Sequence, residues 1–499
     1  MVGVFALFTL VRAEFGSMRL SRLVASFVIG LALVPPILGC DAYSTPAFPG
    51  AEGFGAYSIG GRKGRVIEVT NLDDVDAAGQ AVPGSLRAAI EATGPRIVVF
   101  RVSGIIDVCE RNRALEIREP YLTIAGQSAP GGGITLRLDP SCATSTLTIW
   151  THDVIVRHVR FRPGSTPVIG EDSDALSIAS PTAHDIIVDH CSFSWATDED
   201  VDISWGANNV TVQYSIIAEG LKDAPRKAGP TGGYGMLIAE GDPNGNHTGR
   251  ITLHHNLFAH NWYRNPQIST NGLIDYRNNV IYDWGLHGLR LMDVYGPPRI
   301  NVVGNYAQAG PTTSAPTAVR EMWAYHSIDF SPFSYFVQGN IGPRRPSDSE
   351  PELDIVFCRE HYEGSDTGVD CDPARFATAA AFPTPIVTTS SAAIAYDRVL
   401  QGAGATLPRR DAVDTRVVRD VRNGTGGDII DPLQVGGWPP IAAATPPMDS
   451  DHDGMPDSWE FQHQLNPSDP SDGARDPDSD RYTNVEEFLN GTDPRAPNP

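Results

Sequence analysis

The sequence predicts an all-β chain wound as a parallel solenoid, and three observations carry that prediction. Short β-branched runs recur, among them Ile186-Ile187-Val188, Val210-Thr211-Val212, Ile251-Thr252-Leu253 and Ile300-Asn301-Val302. Several lie about 24 residues apart, with longer insertions between others, which suits three short strands and three turns per coil. Asn209, Asn256, Asn278 and Asn305 fall at similar places near the turns, where stacked amides can satisfy one another from coil to coil. The chain also carries 49 Gly and 40 Pro, a signature of many turns and little long helix. A β-sandwich shares the short strands but not the self-similar spacing.

With 499 residues the chain is too long for one ordinary core, and an elongated repeat fold is the main exception to two or more separate units. Its 41% apolar and 20% charged content is that of a soluble globular protein. A net charge of −22 argues against nucleic-acid binding, which needs a basic face. Action on a polyanion would require local cations or a bound metal.

Residues 1–40 read as a targeting segment: Arg19 and Arg22 precede the apolar run Leu23 to Leu38. Ile37-Leu38-Gly39-Cys40 resembles a bacterial lipoprotein processing site with Cys40 as the lipidated residue; the alternative is an ordinary cleaved signal. Export permits disulfides. Of the five remaining cysteines, Cys191 sits in a strand-like run and reads as a buried free thiol, which leaves Cys109 with Cys142 and Cys358 with Cys371.

Residues 47–61 are glycine-rich, and Arg65 to Thr70 reads as a strand. Pro83 to Glu91 reads as a short helix with Ser85 as its N-cap, followed by a strand from Arg96 to Val102. From Leu122 the repeats begin. Residues 307–350, rich in Pro, Ser and Thr, are expected to wrap the solenoid with few strands, and 351–440 to be mixed, with an ordered patch at Pro408-Arg409-Arg410-Asp411. The expected organisation is a β-helix over 46–345, an extension packed on it over 346–440, a linker over 441–448 and an acidic tail over 449–499.

Two groups of carboxylates carry chemistry. Asp172 and Asp174, then Asp198 and Asp202, lie two or four apart among strands, so several oxygens share one side, as a hard cation such as Ca²⁺ requires. In the tail, Asp449, Asp451, Asp453, Gly454 and Glu460 match a twelve-residue calcium loop at positions 1, 3, 5, 6 and 12, with Asp457 at position 9. Asp476, Asp478, Asp480 and Glu487 repeat the spacing, with Arg481 where glycine is expected. Trp459-Glu460-Phe461 and Val485 to Leu489 read as short helices after the two loops. The tail resembles the calcium-binding repeats of dockerins and of thrombospondin type-three regions, which stiffen linkers or dock partners.

The body resembles bacterial pectate lyases of polysaccharide lyase family one. The resemblance rests on Pro49 to Gly55, Pro83-Gly84-Ser85-Leu86-Arg87, Ala125 to Gly131, Val188-Asp189-His190-Cys191-Ser192, His254-His255-Asn256 and Arg264-Asn265-Pro266, and covers roughly residues 46–440. It implies a right-handed parallel β-helix and cleavage of α-1,4-linked galacturonan by calcium-assisted β-elimination. It implies at least one of Asp172 and Asp174, with Asp198 and Asp202, as calcium ligands, Arg264 as the base that takes the C5 proton, and Arg290 as a substrate-carboxylate partner. It also implies a lysine, for which Lys227 fits better than Lys222. The family's second arginine, five residues after the first, is Ser269 here. Pectin or polygalacturonate is the implied partner. The rivals are a pectin lyase acting on methyl-esterified polymer without calcium, and a surface glycan-binding solenoid without catalysis.

Overall fold

Each apolar run pairs in parallel with the run one coil later, and the pairing places like residues in columns. Ile186 faces Val210, Val210 faces Ile251, Ile251 faces Ile274 and Ile274 faces Ile300, all inside one continuous apolar core. The computed structural model describes residues 45–498 apart from 141, 143, 166–172, 225–231, 243, 314–319 and 363–367. The leader with Cys40, and the expected site residues Asp172 and Lys227, lie outside the described residues.

Three sheets form the walls of a parallel β-helix. The first runs from Arg65–Val69 to Ser334–Gln338 and the third from Gly104–Val108 to Tyr306–Gln308. The second runs from Glu116–Ile117 through Val356–His361, where Gly368–Asp370 closes it as an antiparallel edge. Short β-branched strands suit this fold because each is covered on its inner face by the core and hydrogen-bonded on both edges by neighbouring coils.

Residues 307–350 are not merely a wrapping. Met322–Ser327 and Ser334–Gln338 continue the second and first sheets, and Val356–His361 pairs with Met322–Ser327 beyond the expected boundary at 345. Among the described residues, the Pro- and Ser-rich stretch 339–351 lies in the connection between Ser334–Gln338 and Val356–His361.

An asparagine ladder is present, but its members differ in part from those expected. Asn279 Oδ1 accepts from the Asn256 amide N–H and side chain, each at 3.0 Å. Asn305 Oδ1 receives Asn279, and Asn340 Oδ1 receives Asn305. Asn209 and Asn278 lie outside the ladder, with φ of 51° at both, the left-handed region that asparagine tolerates. Asn209 stands at the start of its first-sheet strand and donates to Asp185 Oδ1 at 2.9 Å, whereas Asn278 stands at the corner after the first sheet, where His158, His190, Tyr214 and His255 stack ring on ring on the preceding coils. Asn279 is fully buried and also donates to the Leu253 carbonyl. Replacing it with alanine orphans groups on two coils, so Asn279→Ala is expected to destabilise the protein by about 3 kcal/mol. A change in unfolding free energy below about 1 kcal/mol would mean that the ladder is replaceable by water.

The glycine-rich start crosses the outside of the first sheet. Gly55 donates to Thr211 Oγ1 at 2.8 Å, and a Cβ there would sit 2.0 Å from the Ile186 carbonyl oxygen, so only glycine lets the chain lie this close. The expected helix is present as α1 (Leu86–Ile90), with Ser85 Oγ accepting from Ala88 N. Helices α2 (Ala392–Gly402) and α3 (Ala412–Asn423) cover the third sheet through Val399, Leu400, Val417 and Val421, packed on Ile216, Leu257 and Val280. The patch at Pro408 to Asp411 is the entry to α3: Asp411 caps the helix and pairs with the buried Arg162, which also binds Asp414 at 2.8 Å. Both expected disulfides are formed, and Cys191 is the free, buried cysteine among the described residues.

Candidate active site

Successive coils of the second sheet bring the expected residues onto one surface. Leu176–Ala179, Glu199–Ser204, Tyr234–Ala239, Gln267–Ser269, Leu289–Met292 and Met322–Ser327 follow one another as hydrogen-bonded neighbours. Asp174 lies just before the first of these strands, Asp198 and Glu199 at the start of the second, Arg264 just before the fourth and Arg290 in the fifth.

Asp174, Asp198 and Glu199 each offer a carboxylate oxygen, all within 4.8 Å of one another. Asp174 is fixed from two sides: Oδ1 accepts from Glu199 N at 3.2 Å and Oδ2 from Ser145 Oγ at 3.1 Å. Asp202 lies further along the same strand, opposite Ser177, and accepts from Ser177 Oγ and Ser204 Oγ. Burial raises the Asp202 carboxyl to about 6 against those hydrogen bonds, with the Asp198 charge adding to the rise. The fully buried Asp200 accepts from Ala196 N, and burial pushes its carboxyl well above the usual range.

Arg264 reaches back across the intervening coil. Its guanidinium lies 3.9 Å from the centre of the Tyr234 ring and forms an ion pair with Glu199. Its backbone is locked: φ is +66°, Met236 N donates to its carbonyl at 2.7 Å, and Asn265 is held by Asn261, Gly288 and the Tyr276 hydroxyl. A non-glycine residue held at such a φ marks a place where the surroundings dictate the backbone. Burial lowers the Arg264 pKa, while the Asp198 and Asp174 charges oppose that shift. Three carboxylates and one guanidinium leave an excess of negative charge, and the donors are all hard oxygens, a set that fits Ca²⁺.

Arg290 pairs in register with Gln267, whose Oε1 accepts from its Nη1 at 3.1 Å. Its guanidinium stacks on Trp323 and Tyr325 of the next strand, at 4.8 and 5.3 Å. Burial lowers Arg290 to about 10; Tyr325 opposes the shift, while the Arg264 and Arg320 charges add to it. Arg320 extends this cationic surface by one coil, with its guanidinium 4.7 Å from the rings of both Trp323 and Phe357. Ser269 is buried at the position of the family's second arginine. Lys222 is occupied elsewhere: its ammonium lies 3.2 Å from Asp428 and 3.3 Å from the centre of the Trp262 ring.

Two relatives named probable pectate lyase C match almost the entire chain. The one from Aspergillus terreus is 34% identical over 475 residues, covering 94% of this chain and 99% of the relative. The one from Neosartorya fischeri is 36% identical over 454 residues, covering 90% and 94%. The chain belongs to the pectate lyase family. It is therefore a polysaccharide lyase by relationship as well as a parallel β-helix by fold. Both relatives are fungal, whereas the sequence resembled the bacterial members. No protein-family model matches the chain. Among solved structures, the cedar-pollen allergen jun a 1 aligns with a TM-score of 0.46 and 17% identity over 71% of this chain and 92% of the allergen.

In this pectate lyase the acidic residue that sequence reasoning passed over is Glu199. It stood in the run Asp198-Glu199-Asp200-Val201-Asp202 but outside the two-or-four spacing used to choose ligands. The signal that finds it is spatial: it faces Tyr234, the residue over which Arg264 crosses.

The tail also differs from expectation. Helices α4 (Asp457–Gln462) and α5 (Asn484–Asn490) follow the two acidic loops, as their sequences suggested. The loop carboxylates Asp449, Asp451 and Asp453 converge, and so do Asp476, Asp478 and Asp480. Asp457 does not join them. It opens α4, and its two oxygens accept from Ser450 N and Oγ at 2.7 Å each. Burial, with neighbouring carboxylates adding to it, raises Asp453 to about 7 and Glu460 to about 8. Glu487 is raised to about 7 by burial, and its Oε1 accepts from Asn498 Nδ2.

Proposed function

We infer that this pectate lyase cleaves α-1,4-linked galacturonan by β-elimination, with Arg264 taking the C5 proton and Ca²⁺ held by Asp174, Asp198 and Glu199. Asp172 and Asp202 belong to the same ligand reading, as Lys227 does to the substrate-binding one. The observation that carries the reading is the Arg264 guanidinium laid across Tyr234 onto this carboxylate group.

The chemistry requires such an arrangement. The C5 proton is weakly acidic because the neighbouring carboxylate is fully charged. When the proton leaves, the electron pair forms a C4–C5 double bond, the C4–O bond breaks and the departing oxygen takes up a proton. Ca²⁺ held by Asp174, Asp198 and Glu199 would supply positive charge that favours the enolate-like state. Arg264 presents its guanidine nitrogen beside that site, and burial favours the neutral form that a base must have. Arg290 holds a uronate carboxylate, with Trp323 and Tyr325 fixing its plane. A surface that offers guanidinium groups on successive coils suits a polymer that carries one carboxylate per sugar. Arg320 supplies the charge that Ser269 does not.

The reading extends to the tail as a pair of calcium loops, Asp449, Asp451, Asp453 and Glu460, then Asp476, Asp478, Asp480 and Glu487. It extends to the leader as an export signal ending at a lipidated Cys40, a bacterial arrangement.

The test is ultraviolet absorbance of the unsaturated product. A rise on polygalacturonate with calcium, abolished by excess chelator, is the expected result. A chelator-resistant rise confined to methylated pectin would assign a pectin lyase. Binding without any rise would leave a non-catalytic glycan-binding solenoid.

A further inference from the structure

The tail is not a free module. Met455 and Val485 are buried with Ile97 and Val99 of the solenoid, and Val66, Trp459, Leu465, Phe488 and Leu489 pack around them. Arg62 binds Glu486 at 2.8 Å, Arg157 Nη1 donates to Asn490 Oδ1 at 2.9 Å, and Glu68 meets the His452 ring at 3.0 Å. Even the expected linker is pinned, with Gly132 N donating to the Ala442 carbonyl at 2.9 Å. The tail thus covers Arg65–Val69, the edge strand of the first sheet, and its neighbour Arg96–Phe100.

At the centre of this docked unit a second group of carboxylates forms around Asp453. Glu460 and Asp472 bring oxygens within 4.8 Å of one another and of Asp453, and all three residues are buried. Asp472 lies twelve residues beyond Glu460, outside the twelve-residue loop. Glu460 is 0% exposed, and neither of its oxygens has a hydrogen-bond partner. Both oxygens of Asp451, Asp453 Oδ2 and Asp472 Oδ1 are likewise buried without a partner. The remaining Asp472 oxygen is anchored by Asn466 N at 2.9 Å. Gly473 allows the approach, since a Cβ there would lie 2.6 Å from Asp453 Oδ2.

Buried carboxylates without donors are costly unless a cation joins them. The orphan atoms are all hard oxygens, and they match in number and kind what Ca²⁺ takes. A sodium ion carries too little charge for so many carboxylates, and the absence of nitrogen and sulfur ligands disfavours zinc.

We propose that one Ca²⁺ is caged by Asp451, Asp453, Glu460 and Asp472, and that this ion locks the tail as a cap over the first two strands of the solenoid. The proposal rests on reading the tail as calcium-binding, and it changes that reading in three respects. Asp472, from the second half of the tail, is a ligand in place of Asp457. Asp449, whose two oxygens accept from His452 N and Gly454 N, orders the loop and is not part of the cage. The tail's docking partner is the solenoid of the same chain. The ion ties Asp472 to the loop, the chain leaving Asp472 pairs with the start of α5 through Val485 N to the Gly473 carbonyl at 3.0 Å, and α5 packs on the solenoid. Calcium binding and capping are therefore linked along one path.

Hydrogen exchange of the full chain, followed peptide by peptide across a series of free calcium concentrations, tests this. The expected result is calcium-dependent protection of residues 449–490 together with residues 65–69 and 96–100. Asp472→Asn and Glu460→Gln raise the calcium concentration at the midpoint of tail protection by tenfold or more, whereas Asp457→Asn leaves it within a factor of about three. An Asp472→Asn midpoint equal to that of the unaltered protein overturns the cage, as does an Asp457→Asn shift as large as that of Glu460→Gln. Protection of the tail without protection of the two strands overturns the cap. Galacturonan cleavage is not the readout, so failure here leaves the lyase reading standing, and failure of that reading leaves this one intact.

Discussion

Arg264→Ala is expected to lower kcat on polygalacturonate by about 10³-fold or more while leaving the fold and the calcium requirement in place. The magnitude follows from removing the group proposed as proton acceptor, since positioned acid–base groups contribute factors of this size. The fold survives because the site backbone is held by other residues: Tyr276, Asn261 and Gly288 fix Asn265, and Met236 binds the Arg264 carbonyl through the main chain. The alternative is that Arg264 only neutralises Glu199. In that case Glu199→Gln combined with Arg264→Ala would restore much of the activity, because the stranded carboxylate would be gone. If Arg264 is the base, the double variant is as inactive as the single one. Retention of more than a tenth of the unaltered kcat by Arg264→Ala would falsify the assignment.

The same residue sets the sign of the pH dependence. A base must be unprotonated, so below the guanidinium pKa its active fraction grows with rising pH. Burial lowers that pKa, which moves the active range downward, while Asp198 and Asp174 hold it up. The rate is therefore expected to climb on the alkaline side. Arg264→Lys should move the climb to lower pH, because an amine loses its proton more readily than a guanidinium. A merely structural arginine would leave the profile where it was.

How much of this was legible in the chain depends on whether the signal was local. The repeats from Leu122 to Val303 could be read because each strand announces itself in three or four β-branched residues and the coils have similar lengths. The same strands became illegible after Gln308, where loops of unequal length separate Tyr306–Gln308, Met322–Ser327 and Val356–His361 and break the spacing. The ladder asparagines show the limit of periodicity in another way. Asn278 and Asn279 are adjacent, and only the structure shows that Asn279 faces the stack while Asn278 turns the corner. In the active site the aspartates could be chosen by type and spacing, and Arg264 only by the resemblance that Arg264-Asn265-Pro266 carries. Glu199 could not, because its role comes from an arginine whose strand pairs two coils away. Asp472 was hidden for the same reason: its carboxylate meets Glu460 through chain folding, not through a motif. The docking of the tail on Ile97 and Val99 joins residues more than 350 positions apart, beyond anything a local pattern records.

Asp198→Asn is expected to raise the calcium concentration needed for half-maximal activity by about 100-fold, with kcat recovering in large part when calcium is supplied in excess. The argument is one of charge and oxygen count. Asp198 is one of three carboxylates brought within 4.8 Å, and Arg264 already neutralises one equivalent through Glu199. Changing a carboxylate to an amide keeps an oxygen in place but removes a unit of charge, so a divalent ion loses affinity without losing its shape. Asp174→Asn should cost more than the charge alone. Its Oδ1 and Oδ2 accept from Glu199 N and Ser145 Oγ, and an amide group cannot accept at both positions, so the loop before Leu176 also loosens. The decisive comparison is with Arg264→Ala, which should lower kcat at every calcium concentration while lowering, not raising, the half-saturating value, because Glu199 is freed from its ion pair. If Asp198→Asn instead lowered kcat irretrievably at saturating calcium, the carboxylate would belong to the proton-transfer step and the division of labour between Asp198 and Arg264 would have to be reversed.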